Sequence, residues 1–218
     1  MATYQIFKKV KQKTEGYFAR LKNDTGGMTY QGIARNFHPN WDGWPIIDFQ
    51  LITNPRITDS QLSTILKANT YLESLVDDFY IVLWNRIGAG VLSQDLADLY
   101  MDWYIHKPAD SVRAMQRLLN SSFGENLSVD GVPGPATNAA VRKHDSVSLY
   151  NKYREARLAS YKSQKYSSPT FWSSWVARVN NNFPSKITNP LSLLASVIVL
   201  GLGTFAIIKL NMSSDGPK

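Results

Sequence analysis

The chain contains no cysteine, so disulfides, thiolate metal sites and thiol nucleophiles are excluded, while the redox compartment stays open. Histidine is scarce: His38, His106 and His144 are scattered along 218 residues. They lack the i, i+4 spacing of a zinc helix, so a metal site is not expected. No period of about 20–50 residues recurs, which excludes a repeat architecture. A secretory signal peptide is not expected, because Lys8, Lys9, Lys11 and Lys13 interrupt the region where its apolar core would sit.

What is present suits one domain of ordinary size, or one with a small appendage. Hydrophobic residues make up 44% and aromatics 12%, enough for a packed core. The net charge of +7 is concentrated. Residues 1–141 carry 13 Lys/Arg against 14 Asp/Glu, whereas residues 142–186 carry nine against Asp145 and Glu155. A zone of that kind reads either as a solvated helix face or as an attractor of anionic lipid or wall polymer. Nucleic acid is not an expected partner, since no recognised binding motif accompanies the charge.

Tyr4, Phe7, Val10, Thr14, Tyr17/Phe18 and Leu21 recur at helical spacing, predicting an amphipathic helix over residues 3–22. On that helix Glu15 lies well off the apolar stripe and faces a cleft or water. Residues 23–56 are dense in turn formers and read as loops or short hairpin strands. Thr58 with Gln61 is a capping box that opens a long helix running through Val82 and ending at Gly88-Ala89-Gly90. Further helices are expected over Ser93–Lys107, from Asp110 or Ser111 through Leu119, over about 135–166, and over about 170–181. Pro135 starts one of them. Val129 to Pro135 is a turn cluster in which Asp130, Gly131 and Gly134 make a tight turn.

After Asn189-Pro190, Leu191–Ile208 is an uncharged 18-residue run with only Ser192, Ser196 and Thr204 as polar interruptions. At 1.5 Å per residue it would span about 27 Å, near the hydrocarbon thickness of a bilayer. A buried core helix would show a polar face and this run does not, so a membrane span over 191–210 is expected. Lysines and arginines balance on its two sides and do not orient it.

The chemistry is concentrated in Glu15-Gly16, Asp24, Gly26-Gly27, Thr29 and Gly32-Ile33. Cleaving a glycosidic bond needs a carboxylic acid to protonate the leaving oxygen, and a second group across the sugar to activate water or stabilise charge. A helix-borne glutamate in partly apolar surroundings suits the first role, and an aspartate in a polar turn suits the second. Trp41, Trp44 and Asp42, with Tyr30, follow closely. The tryptophans read either as a stacking surface for a sugar or as a core-anchoring aromatic pair.

This string resembles the signature of glycoside hydrolase family 108 and is similar to that of phage-type lysozymes. Tyr17 stands where the family has a second glycine, Thr25 where it has proline, and His106-Lys107-Pro108 where it has Asn-x-Gly. One extra residue separates Thr29 from Gly32 relative to the phage lysozymes, leaving Thr29 and Tyr30 as alternatives for one role. Tyr80, Trp84, the Leu96–Asp102 segment and Gln116–Leu119 look like the family's second half. Val129–Thr137 with Ala140-Val141, and Trp172 with Trp175–Val179, are similar to the helical peptidoglycan-binding module that usually follows.

The resemblance implies that Glu15 is the general acid and that Asp24 and Thr29 position water. It implies a mainly α, lysozyme-like fold with a small loop or β element and a helical C-terminal module, to which the uncharged run adds one expected transmembrane helix. The expected division is 1–108 catalytic, 109–182 wall-binding, 183–190 linker, 191–210 span and 211–218 polar tail. The implied reaction is hydrolysis between N-acetylmuramic acid and N-acetylglucosamine at the bacterial envelope, with peptidoglycan and the membrane as partners and no cofactor, since acid catalysis of acetal cleavage needs none. Without a leader, reaching the wall requires a holin-like pore or carriage by a phage or contractile injection particle. Two rival readings stand beside it: a lytic transglycosylase, and a non-catalytic wall-binding component of such a particle.

Overall fold

The structure, a computed structural model, describes residues 1–14, 17–20, 26–164 and 172–187. Glu15 and Asp24 lie outside the described residues, as does the expected membrane span over 191–210. No helix among the described residues is long and apolar enough to cross a membrane.

The first helix, α1, runs Tyr4–Thr14 and buries Tyr4, Phe7 and Lys11. Its aromatic rings meet Trp84, with centroids 6.2 Å from Tyr4 and 5.7 Å from Phe7. The expectation of a helix through residue 22 is corrected here, because Phe18–Arg20 is a strand, β1. β1 pairs antiparallel with β2 (Met28–Tyr30), which pairs with β3 (Ile33–Ala34). An aromatic residue suits such a half-buried pleated surface. The strand is also tethered from outside: Phe18 N–H donates to Ser63 Oγ at 3.1 Å, and Arg20 N–H and Nε donate to the Asp59 carboxylate at 3.0 and 2.7 Å.

Helix α2 spans Trp44–Thr53 where loops or strands were expected. The turn formers before it are its entry, and Pro45 in the first turn is preorganised for a helix. α3 (Asp59–Lys67) opens on the expected capping box, with Gln61 N–H donating to Thr58 Oγ1 at 3.2 Å and Thr58 N–H to Gln61 Oε1 at 3.0 Å. The long helix expected from there is two helices. α4 (Thr70–Arg86) restarts at Asn69, whose Oδ1 accepts from Leu72 N–H at 3.0 Å. Gly88, at φ 66°, carries the chain out of α4.

α5 (Gln94–His106) begins after Ser93 as expected. α6 (Pro108–Phe123) is longer than expected at both ends, with proline in its first turn and Gly124 at φ 72° closing it. α7 (Pro135–Lys143) starts at Pro135, and α8 (Val147–Ser163) restarts at the Ser146 cap. α9 is Trp172–Asn182. The described chain is thus mainly helical with one small three-stranded sheet. Residues 1–185 form one compact unit, and a single apolar cluster draws members from Ala2 to Phe183. α5 is its axis, with every residue from Leu96 to Tyr104 buried.

One buried acid on this axis predicts a pH effect. Asp98 is 8% exposed, accepts a 2.7 Å bond from Gln94 Nε2, and forms no ion pair among the described residues. Burial pushes its carboxyl up to about 7, with Asp95 and Asp102 adding to the rise and the Gln94 bond opposing it. The unfolded chain releases this proton near its ordinary value of 3.8 and the folded chain near 7. Stability therefore falls as pH rises between those values and is level above them. Asp98→Asn is expected to remove that slope and to raise stability at pH 8 by roughly 2 kcal/mol or more. Urea denaturation at pH 4.5 and pH 8 checks this; equal effects of the substitution at both pH values would contradict it.

Candidate active site

Among the described residues, the candidate site is the β2–β3 hairpin and the groups that hold it. Its turn is Gln31-Gly32, with φ 47° and 84°. Positive φ at both central residues gives the type I′ geometry that matches strand twist. Glycine adopts it freely, whereas a glutamine there is strained and needs support. Four bonds supply it. Gln31 N–H donates to the Tyr17 carbonyl at 2.7 Å; its own carbonyl accepts from Tyr80 Oη at 2.7 Å and from Lys11 Nζ at 3.2 Å; its side-chain Nε2 donates to Glu73. Lys11 is 1% exposed and lies 3.7 Å from the centre of the Tyr80 ring, so its charge is met by a π face and a carbonyl.

Thr29 sits at the centre of β2, opposite Ala19 on β1 and Ala34 on β3. It is half-buried, and its hydroxyl donates to the Gly27 carbonyl at 3.4 Å. Gly27 is itself constrained: at φ 69°, a Cβ there would lie 3.0 Å from the Asn36 side chain. Asn36 N–H donates to the Gly26 carbonyl at 3.0 Å and Arg35 N–H to the Met28 carbonyl at 2.8 Å. The entry to β2 is thereby strapped to the segment after β3. Thr29 presents a hydroxyl on a rigid strand, which suits it to hold a water molecule.

Tyr30 is fully buried and its hydroxyl donates to Glu73 Oε1 at 2.8 Å. Burial, with Glu73 adding to it, raises its hydroxyl above the ordinary tyrosine range. Its ring stacks on Trp41 with centroids 6.2 Å apart, and Trp41 meets Trp44 edge-on at 5.2 Å. Trp41 Nε1 donates to the Leu75 carbonyl at 3.3 Å and Trp44 Nε1 to the His38 carbonyl at 2.7 Å. Arg35 lies over Trp44 at 5.2 Å while pairing both guanidinium nitrogens with Asp48. Tyr30 and Trp44 (2% exposed) therefore offer no ring face to a sugar; they couple the sheet to α2. Trp41 is half-buried and Asp42 is exposed at the same turn. Gly43 lets the Trp41 ring lie on the backbone, since a Cβ there would fall 2.2 Å from it.

The structure thus brings Tyr30, Trp41 and Trp44 into one cluster, whereas Thr29, next to Tyr30 on β2, bonds to the Gly27 carbonyl. Glu73, Tyr80, Gln31 and Lys11, which support the hairpin, were not legible as site residues. Only Lys11 left a signal, lying four residues after Phe7 on the buried side of α1. In the basic zone the structure removes several cations from the surface. Arg154 and Arg157 are buried, and Arg157 and Arg178 both pair with Asp102.

The family model for glycosyl hydrolase 108 matches residues 8–107. No curated protein matches the chain. Among solved structures, that of SagA from Brucella abortus is similar at 25% identity and a TM-score of 0.54, covering 83% of this chain and 92% of that one.

Proposed function

We propose that the chain, whose residues 8–107 match the glycosyl hydrolase 108 family model, hydrolyses the glycan of peptidoglycan between N-acetylmuramic acid and N-acetylglucosamine. The observation that carries this reading is the Glu15 to Ile33 string, which falls wholly inside the matched segment. In this mechanism Glu15 protonates the glycosidic oxygen as the bond to the anomeric carbon breaks. Asp24 and the Thr29 hydroxyl hold a water whose oxygen then bonds to that carbon, its proton passing to the carboxylate side. Thr29 is suited to the task because the hairpin that carries it is fixed at both ends. Residues 109–182 would hold the wall, and the uncharged run at 191–208 would tether the chain to a membrane.

Mass spectrometry of fragments released from purified peptidoglycan tests the reaction. Hydrolysis is expected to give products with a water added at the new reducing end, and Asp24→Asn is expected to suppress them. Anhydro products with Asp24→Asn fully active would replace this reading with transglycosylation. The tether is checked separately by alkaline extraction of membranes from expressing cells. The full chain is expected to stay in the pellet and a chain ending at residue 186 to leave it; full release of both would remove the anchor.

A further inference from the structure

The groove between α6 and α8 encloses about 1080 Å³, and its rim carries Lys107, Arg113 and Arg117 against Asp110, with Asp130 close enough to feel the Arg113 charge. These cations differ from Arg154, Arg157 and Arg178, whose guanidinium groups are engaged inside the fold. Lys107 gives one N–H to Gln164 Oε1 at 2.5 Å. Arg113 stands 3.7 Å from Asp110, beyond hydrogen-bond distance, and both side chains are more than a third exposed, so that pair contributes little. Arg117 has no hydrogen bond or ion pair among the described residues.

The groove is also built rather than merely charged. Gly131, at φ 80°, lets its turn lie against Arg113: a Cβ there would come within 3.2 Å of Arg113 Cζ and 3.0 Å of the Ala109 carbonyl. The guanidinium is thus backed by a fixed turn. Trp103 lines the same groove, and its buried indole N–H has no acceptor among the described residues. Ala114, Leu118, Ala156 and Ala159 supply an apolar stretch and Ser160 a hydroxyl, while the Gln164 amide is engaged with Lys107 and the Ser160 carbonyl. A matching ligand carries several carboxylates, small aliphatic side chains and amide groups. Planar guanidinium forks pair with carboxylates in two-point fashion, and the small floor residues accept methyl groups.

We infer that this groove binds the carboxylate-bearing stem peptide of peptidoglycan, apart from the glycan-cleaving hairpin. The identity of the polymer rests on the proposed reaction; the carboxylate chemistry rests on the groove alone.

Calorimetric titration of the full chain tests it with a synthetic stem tetrapeptide, its carboxyl-amidated form, and a poly(glycerol phosphate). The free tetrapeptide is expected to bind. Amidation, and the double substitution Arg113→Gln with Arg117→Gln, are each expected to weaken binding about tenfold or more. The double variant is expected to cleave peptide-stripped glycan at the normal rate and intact wall more slowly. Arg117→Gln alone serves as the readout should the pair alter the melting curve. Absence of tetrapeptide binding, equal binding of the amidated form, indifference to the substitutions, or a preference for the phosphate polymer would each overturn the inference. Failure to cleave stripped glycan would count against the proposed reaction, while the titration still decides the groove.

Discussion

Glu15→Gln is expected to lower release of wall fragments by at least about 100-fold, the usual contribution of a positioned general acid. The substitution keeps shape and hydrogen-bonding capacity but removes the transferable proton. Without it the leaving sugar must depart as an alkoxide, which is what a general acid prevents. The melting temperature should be unchanged, because a neutral amide replaces a carboxyl of equal size. Loss of activity with an unaltered melting curve would support the role. Activity within about threefold of the parent would remove Glu15 from the mechanism, and with it the reading of the Glu15 to Ile33 string.

The second large effect is on stability. Asp102, on α5, is 1% exposed and receives Arg157 Nη2 at 2.5 Å, Arg178 Nη2 at 2.6 Å and Arg178 Nε at 3.2 Å. Burial alone would raise its carboxyl; the two guanidinium groups, with His106 adding to them, outweigh it and hold it below the usual carboxylate range. Its stabilising contribution is accordingly complete above the ordinary value of 3.8 and is lost only as pH falls through the lower folded value. Arg157 is fully buried and also donates to the Tyr161 hydroxyl at 3.2 and 3.0 Å, while its Nη1 has no hydrogen-bond partner among the described residues.

Asp102→Ala would leave that cation buried without its counter-charge. The expected loss is about 3–5 kcal/mol, a large share of the roughly 5–15 kcal/mol that holds a domain together. Arg178→Ala should cost less, since Arg178 is 16% exposed and Arg157 would still neutralise the acid. Pairing Asp102→Leu with Arg157→Met should recover much of the loss, because it removes both buried charges together. Chemical denaturation of the three variants checks the order; a neutral Asp102→Ala would show the network to be dispensable.

Local chemistry was legible in the sequence. The Thr58 box satisfies orphan backbone groups within a turn of itself, and Pro135 brings no N–H to be orphaned, so both starts appear where expected; Ser93 also precedes its helix as expected, although its hydroxyl goes to Asp145 and does not cap. The break between α3 and α4 was hidden because the apolar period continues across Ala68 and Asn69. α2 was hidden because Gly43 and Pro45 serve a helix entry as readily as a loop. The largest misreading concerned charge. Arg157 and Arg178 count as surface cations in any linear inventory, yet their partner lies 55 and 76 residues away. The supports of the site are hidden for the same reason: Glu73 reaches Tyr30 and Gln31 across more than 40 residues, and no spacing rule announces such a pair.

The packing of α5 has a consequence for how this enzyme can be rearranged in evolution. Trp103 and Tyr100 lie inside the segment matched to the glycosidase family, yet their rings rest on Tyr153 of α8, with centroids 5.0 and 5.5 Å away. The segment is therefore not a detachable cassette. A recombination event that moved it alone would strip solvent protection from its own central helix, so both halves must be inherited, and exchanged, as one piece.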